Sequence, residues 1–437
     1  MESDVSVAAE RNPAAAALHP GSDPVAAAPL GLAALARIAM PGADLVPLGQ
    51  KLLQRAQQEP DNADALMDLS LLLQLRGHRD ESLAVQREAL AVSRLHRRSA
   101  AGVPALRLLA LMSPGDLMAN TPLEFMLESS DIELTMLYLM PDEPVPSTLP
   151  PCDVVFIAIG ESRRNQPLLA RLRDATADGR LAGVPVVNAA ARIAELSRDR
   201  ASELLHDAPG VCMPATRGVD RALLARLAAG LLEPADAAGD WPLVVRPIDS
   251  HAGQGLQRID SPQAMREYLR SCPLTERFYL SSFVDYRGAD GLYRKYRIVL
   301  IDGRPQLCHL AVSSHWMIHY LNAGMAEHAA RRDEEAQAMA SFDDGFARRH
   351  AAALQAITER LALDYVGLDC AELADGRLLV FEADTAMVVH AMDPLDRFGY
   401  KQPAMQRVFA AFRQMLLARA SSRDAARALS SFSATPD

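Results

Sequence analysis

The hydrophobic period of the chain changes twice along its length. Between about Leu45 and Arg98, apolar residues such as Leu52, Ala56, Leu66, Leu69, Leu72 and Leu73 recur at three- and four-residue spacings, which predicts two or three amphipathic helices. Pro60 with the acids around it marks the start of one helix through Leu75, and Gly77 turns the chain into a second over Arg79–Val92. The period then becomes that of alternating strands and helices. Apolar runs at Ala105–Met112, Ile132–Leu139, Val154–Ile159 and Val184–Val187 are separated by helical stretches around Pro122–Leu127 and Gln166–Ala177, which predicts a small parallel α/β unit. From about Trp241 the strands pair locally, because Asp302-Gly303 and Asp375-Gly376 each separate two strand-like runs and Asp-Gly is a strong hairpin signal.

Length and composition change this picture mainly at the ends. A chain of 437 residues exceeds what one core supports, so two to four units are expected. The start is Ala- and Pro-rich and lacks the basic and apolar regions of a secretory signal, and the last residues from about Ser421 read as a second disordered tail. A net charge of −10 without a cluster of Lys and Arg excludes a general nucleic-acid binder. No apolar run is long enough to cross a bilayer. The five cysteines are scattered with no Cys-x-x-Cys pair, which fits a reducing, cytoplasmic setting.

The second hairpin carries the strongest chemical signal. With Asp375-Gly376 as a two-residue turn, counting outward sets Asp369 opposite Glu382, and alternation brings Asp384 to the same face. Carboxylates so placed beside apolar neighbours need pairing, protonation or a metal, and an all-oxygen set suits Mg²⁺. On the first hairpin, Lys295 and Arg297 share one face and call for an anionic partner such as phosphate, unless they form a solvated basic edge. Upstream, Arg246 precedes a small-residue loop, Ser250-His251-Ala252-Gly253-Gln254-Gly255, whose backbone amides can close on phosphate oxygens or form a plain turn.

The order of these elements resembles the ATP-grasp superfamily, in particular its glutathione-synthetase-like and ribosomal-protein glutamate-ligase-like members, over about Ala105–Leu417. The Glu59–Val92 segment resembles one tetratricopeptide unit. A stable solenoid needs about three such units, which favours a helical cap on the next domain over a peptide-binding surface. The resemblance implies an α/β and α+β fold: a small parallel α/β domain followed by two antiparallel α+β subdomains, preceded by a short helical repeat-like region. The expected organisation is a disordered tail over 1–30, the helical segment over 31–100, a pre-ATP-grasp domain over 101–205, the ATP-grasp domain over 206–420, and a tail over 421–437.

Carried over residue by residue, the resemblance sets Arg246 on the nucleotide phosphates, where relatives usually have Lys, with Ser250, His251, Gly253 and Gly255 in the covering loop. Phe278–Val284, with Ser282, Phe283 and Val284, would receive adenine, and Asp285 the ribose. Arg297 would serve near the transferred phosphoryl group beside Lys295, and His319 and Asn322 would donate to an acyl phosphate. Asp369, Glu382 and Asp384 match the metal-binding acids, with Asp384 where relatives commonly have Asn. His390, Tyr400 and Lys401 follow them and are further candidates to face substrate. The implied cofactors are ATP and Mg²⁺, one ion or two, with Mn²⁺ able to substitute. The implied activity is an ADP-forming carboxylate–amine ligase acting through an acyl phosphate on small-molecule or peptide substrates. Its rivals are a kinase of the same fold and a non-catalytic nucleotide-binding adaptor. A partner at the helical segment and a homodimer are compatible with this reading; nucleic acid and membrane are not expected.

Overall fold

Asn62 sets the frame of the helical segment: its side chain accepts from the N–H groups of Asp64 and Ala65, both at 3.1 Å, and starts a helix where the sequence predicts one. The helices here are α1 (Gly31–Ala39), α2 (Val46–Gln58), α3 (Ala63–Leu75) and α4 (Arg79–Val92). The computed structural model describes residues 29–39, 43–181, 183–250 and 253–432, without the side chains of Leu321 and 423–432. The tail expected over 1–30 therefore lies almost wholly outside the described residues.

α3 is buried on nearly every side because α1, α2 and α4 pack around it. Its Asp68, fully buried, accepts from the N–H groups of Leu30 (2.8 Å) and Gly31 (2.9 Å) and so satisfies the start of α1 from a neighbouring helix. The helices share one core with the strands that follow, through Leu35, Leu52, Leu72, Leu108, Phe156 and Phe412. They form a cap fused to the next domain.

The first sheet contains β1 (Leu95–Arg98), β2 (Leu106–Met112), β3 (Ile132–Tyr138), β4 (Val154–Ile157) and β5 (Val186–Val187) in the order β1-β3-β2-β4-β5. All its pairings are parallel except β1–β3. The helical reading of the sequence to Arg98 fails at β1: α4 stops at Val92, and Leu95–Arg98 pairs along β3, a partner that local periodicity does not reveal. Strands buried on both faces, such as β2 and β4, read as unbroken apolar runs, which is why they are legible.

β6 (Val211–Cys212) leads on to two further sheets, antiparallel except for the parallel pairing of β6 itself. The second sheet contains β7 (Thr216–Asp220), β8 (Leu243–Pro247), β9 (Gln257–Ile259) and β10 (Arg277–Ser282) in the order β7-β10-β8-β9. Helices Arg221–Ala228 and Pro262–Ser271 cover it, capped by Asp220 and Ser261, and enclose a small separate core around Leu224, Val245, Met265 and Phe278. The third sheet joins β11 (Tyr293–Ile301), β12 (Arg304–Ser313), β13 (Tyr365–Glu372) and β14 (Leu378–Asp384) to β6 in the order β12-β11-β13-β14-β6. A final helix spans Gln402–Phe432 and buries Met405, Val408, Phe412 and Leu416. It passes Ser421, so the disorder expected from there is replaced by helix as far as Phe432: the residues after 421 continue a helix already nucleated by packing.

Candidate active site

The third sheet positions the acids by two offsets that cancel. Leu373 N–H donates to Arg377 O and Gly376 N–H to Leu373 O, each at 2.9 Å, with Gly376 at φ +85°, so Ala374–Gly376 form a three-residue loop instead of the two-residue turn expected. That loop alone would slide Asp369 opposite Phe381. A bulge then inserts Phe381: Cys370 pairs with Val380, but Asp369 pairs with Glu382, as the sequence predicts. The Phe381 carbonyl released by the bulge accepts from Arg198 Nη1 at 3.3 Å.

The hairpin at Asp302-Gly303 does form the two-residue turn, with both residues at positive φ. Its strand β11 lies beside β13 with Arg297 directly opposite Asp369. The anion that Lys295 and Arg297 call for is therefore supplied by the chain: Asp369 accepts from Arg297 Nε (2.8 Å) and Nη2 (2.9 Å) and from Lys295 Nζ (2.8 Å). Burial works to raise the Asp369 carboxyl, but the charges of Arg297 and Lys295 overcome it and hold it well below the usual carboxylate range. Glu382 is joined by Arg198, at the first turn of helix Arg198–Leu205. Asp384 accepts from Ala386 N–H at 2.8 Å, and burial, with the Glu382 charge second, pushes it up to about 6.

These groups line one cavity of about 550 Å³ that runs between the second and third sheets and reaches the first domain and the helical cap. Its size is that of a small-molecule site, typically about 300–1,000 Å³. Of the residues singled out in the sequence, Arg246, Gly253, Ser282, Phe283, Val284, Lys295, Arg297, His319, Asn322, Asp369, Glu382 and Asp384 line it. Arg246, on β8 and only 8% exposed, donates from Nε to Ser250 Oγ (3.2 Å), and burial followed by the charge of Arg198 lowers it to about 10. A buried Arg246 that feels the charge of Arg198 favours an anion in this part of the cavity.

Three expectations change. Ser250 and Gly255 do not line the cavity: Ser250 is bound to Arg246, while the Gly255 carbonyl accepts from Tyr268 OH at 2.9 Å. Asp285, the expected ribose contact, is exposed and turned to Arg287 (3.1 Å), while its neighbours Val284 and Tyr286 line the cavity. Asn322 accepts from His319 N–H (3.0 Å) and caps a short 3-10 turn, so its carbonyl oxygen is committed to backbone and only its amide N–H₂ remains a donor. His251 lies outside the described residues. His319 faces the cavity, and burial, then Lys295 and Arg297, lower its protonation.

Other lining residues carried weaker signals or none. Arg198 lies far upstream of Glu382 in sequence, with nothing local to distinguish it from a surface helix arginine. His309, opposite Arg297, keeps Nε2 buried without a hydrogen-bond partner and stays neutral under burial and the charges of Arg297 and Lys401. Lys401, a candidate named from the sequence, lines the cavity and is 4% exposed. It pairs with Asp393 (2.5 Å) and sits 4.4 Å over the Tyr320 ring. Tyr400 OH instead donates to buried Glu335 at 2.6 Å.

Among the described residues, no group of three or more His, Cys, Asp and Glu side chains is set for a metal ion. The donor chemistry nonetheless fits Mg²⁺ at Glu382 and Asp384, an all-oxygen pair whose mutual repulsion a cation would relieve. Asp369 fits only where Lys295 and Arg297 give up part of their hold on it.

No protein-family model matches the chain, and no curated protein matches it. Among solved structures it is similar to a RimK domain ATP-grasp protein from Sphaerobacter thermophilus, at 17% identity and TM-score 0.40, covering 71% of this chain and 99% of that one. It is similar also to the VanG D-Ala:D-Ser ligase from Enterococcus faecalis, at 13% identity and TM-score 0.43, over 72% and 99% of the two chains. A third is the D-alanine-D-alanine ligase from Coxiella burnetii, at 10% identity and TM-score 0.45, over 74% and 98%.

Proposed function

We propose that the chain is an ADP-forming carboxylate–amine ligase of the ATP-grasp type. The observation that carries this reading is the cavity between the second and third sheets, in which Arg198, Arg246, Lys295 and Arg297 meet Asp369, Glu382 and Asp384. A reaction that moves a phosphoryl group needs both signs of charge at one place: cations for the phosphate oxygens and carboxylates for the metal that accompanies them.

Arg246 holds the nucleotide phosphates under the loop that carries Gly253, and the β10 strand with Phe283 and Val284 receives the base. Lys295 and Arg297 exchange part of their hold on Asp369 for phosphate oxygens and neutralise charge as the transfer proceeds. Glu382 and Asp384, with Asp369 once that hold is loosened, would hold Mg²⁺, which would supply charge neutralisation at the phosphates. A substrate carboxylate oxygen attacks the γ-phosphorus, the bond to the bridging oxygen breaks, and ADP leaves. An amine then attacks the acyl carbon, phosphate leaves with the carbon–oxygen bonding pair, and the amine proton passes to solvent. The amide N–H₂ of Asn322 and the His319 ring donate to the acyl phosphate, and Trp316 and Met317, which line the same cavity, keep water from it.

The fused cap gives no support to the adaptor reading, since α3 is buried instead of presenting a groove. The test is nucleotide analysis and mass spectrometry after incubation with Mg-ATP and pooled carboxylic acids, amino acids and short peptides. The expected result is ADP, phosphate and a product one water lighter than two pool members, lost in Glu382→Ala. AMP with pyrophosphate, or a stable phosphorylated product, would overturn the ligase reading.

A further inference from the structure

Where the cavity meets the helical cap its lining is apolar. It is walled there by Leu32 and Ala36 of α1, Leu75 of α3, Leu117 and Phe125 of the first domain, and Met392 after β14. These come from four separate stretches of the chain, and Leu32, Ala36 and Phe125 also belong to the shared core that fixes the cap in place. The charged pair at this end, Lys401 and Asp393, is closed on itself at 2.5 Å and offers no net charge to a ligand. The His390 ring accepts at Nδ1 from Met392 N–H (3.2 Å), so the neutral ring carries its proton on Nε2 as a single donor.

We propose that this chamber holds the apolar portion of the carboxylic acid substrate, an alkyl or aryl group, and that the helical cap is thereby a specificity-determining element. The proposal rests on the ligase reading for which end of the substrate reacts. The acid's carboxylate faces Lys295, Arg297 and His319, and its apolar body extends toward α1 and α3. A phosphate-bearing or multiply charged body does not suit walls of this kind, because each charge would lose its water without gaining a partner. An apolar body gains about 0.8 kcal/mol for each methylene buried, roughly fourfold in affinity.

The test is calorimetric titration of the full chain, in the presence of Mg²⁺ and a non-hydrolysable ATP analogue, with straight-chain carboxylates from acetate to decanoate and with phenylpropanoate. Affinity should rise severalfold with each added methylene until the chamber is full and then level or fall. Leu75→Trp, at a half-buried position, should move that limit to shorter acids, and Phe125→Ala should move it to longer ones. Thermal unfolding of each variant identifies one that has failed to fold, in which case the other decides. Affinity that is flat with chain length in the parent protein, or a length limit unmoved in a folded variant, would overturn the proposal. Analogue binding is read in the same titrations: its absence would sink the ligase reading while a length-dependent affinity still stood.

Discussion

The two sheets that bound the cavity are built to different standards of fixity. The third sheet belongs to a core that also takes in neighbouring helices, and its polar side chains are locked in ion pairs: Lys295 and Arg297 to Asp369, and Glu382 to Arg198 of the adjoining helix. The second sheet has a small core of its own, and its contribution to the cavity is one buried arginine tied to a glycine-bearing loop and a strand edge. It meets the first domain where Arg163 N–H donates to Asp249 at 3.4 Å and where Thr216 N–H of β7 donates to Ser202 Oγ at 3.0 Å. One wall is a fixed floor on which reacting groups keep their places, and the other is a cover whose residues bind.

Asp369→Ala should produce the largest effect, because it strikes the fixed wall where three charges are out of water. It leaves Lys295 and Arg297 without their shared carboxylate, and losing one partner of a buried pair costs about 3–5 kcal/mol. Urea unfolding should show that loss, with turnover abolished. A change below about 1 kcal/mol would mean that the wall does not depend on its ion pairs and that the contrast between the two sheets is overdrawn.

The two walls also differed in how far they could be read from sequence. Both hairpins announce themselves through Asp-Gly, and the facing of Asp369 and Glu382 follows by counting, although the count succeeds only because a three-residue loop and the bulge at Phe381 offset each other. The parallel strands were legible because burial on both faces makes them continuous apolar runs. What escaped was long-range pairing. That β11 lies beside β13, so that the cations expected to await phosphate already hold Asp369, depends on a neighbour more than 60 residues away. Arg198 and the chamber under α1 and α3 are likewise products of packing, with no local period or spacing to mark them.

Arg246→Ala tests the covering wall and should give a smaller, more selective change. Folding should be little affected, since burial of this guanidinium already disfavours its charged form, lowering it to about 10. Nucleotide affinity should fall about 10- to 100-fold, the loss expected of about 1.5–3 kcal/mol for hydrogen bonds to a charged group. An unchanged nucleotide affinity, by calorimetry, would remove β8 and its loop from the binding site.

The smallest effect should come from the seam between the covering wall and the first domain. Glu161, in the loop after β4, accepts from Gln166 at 2.9 Å, and burial, reinforced by the negative charges of Asp249 and Asp384, pushes its carboxyl up to about 7. Its folded value is thus above the ordinary range near 4.5, so the folded protein binds this proton more tightly than the unfolded chain does. The sign follows: the contribution is fully present below about 4.5 and is lost as pH rises through about 7, because the folded state must then hold a buried charge facing Asp249. Stability measured by urea unfolding should therefore fall by about 1–2 kcal/mol across that window, with partial exposure limiting the effect. Glu161→Gln, which keeps the shape and removes this titration, should reduce the slope and leave the part owed to Asp384, whose carboxyl is pushed up to about 6. If the slope above about pH 6 were unchanged in that variant, the pH sensitivity there would lie elsewhere, and the seam would be held by contacts indifferent to charge.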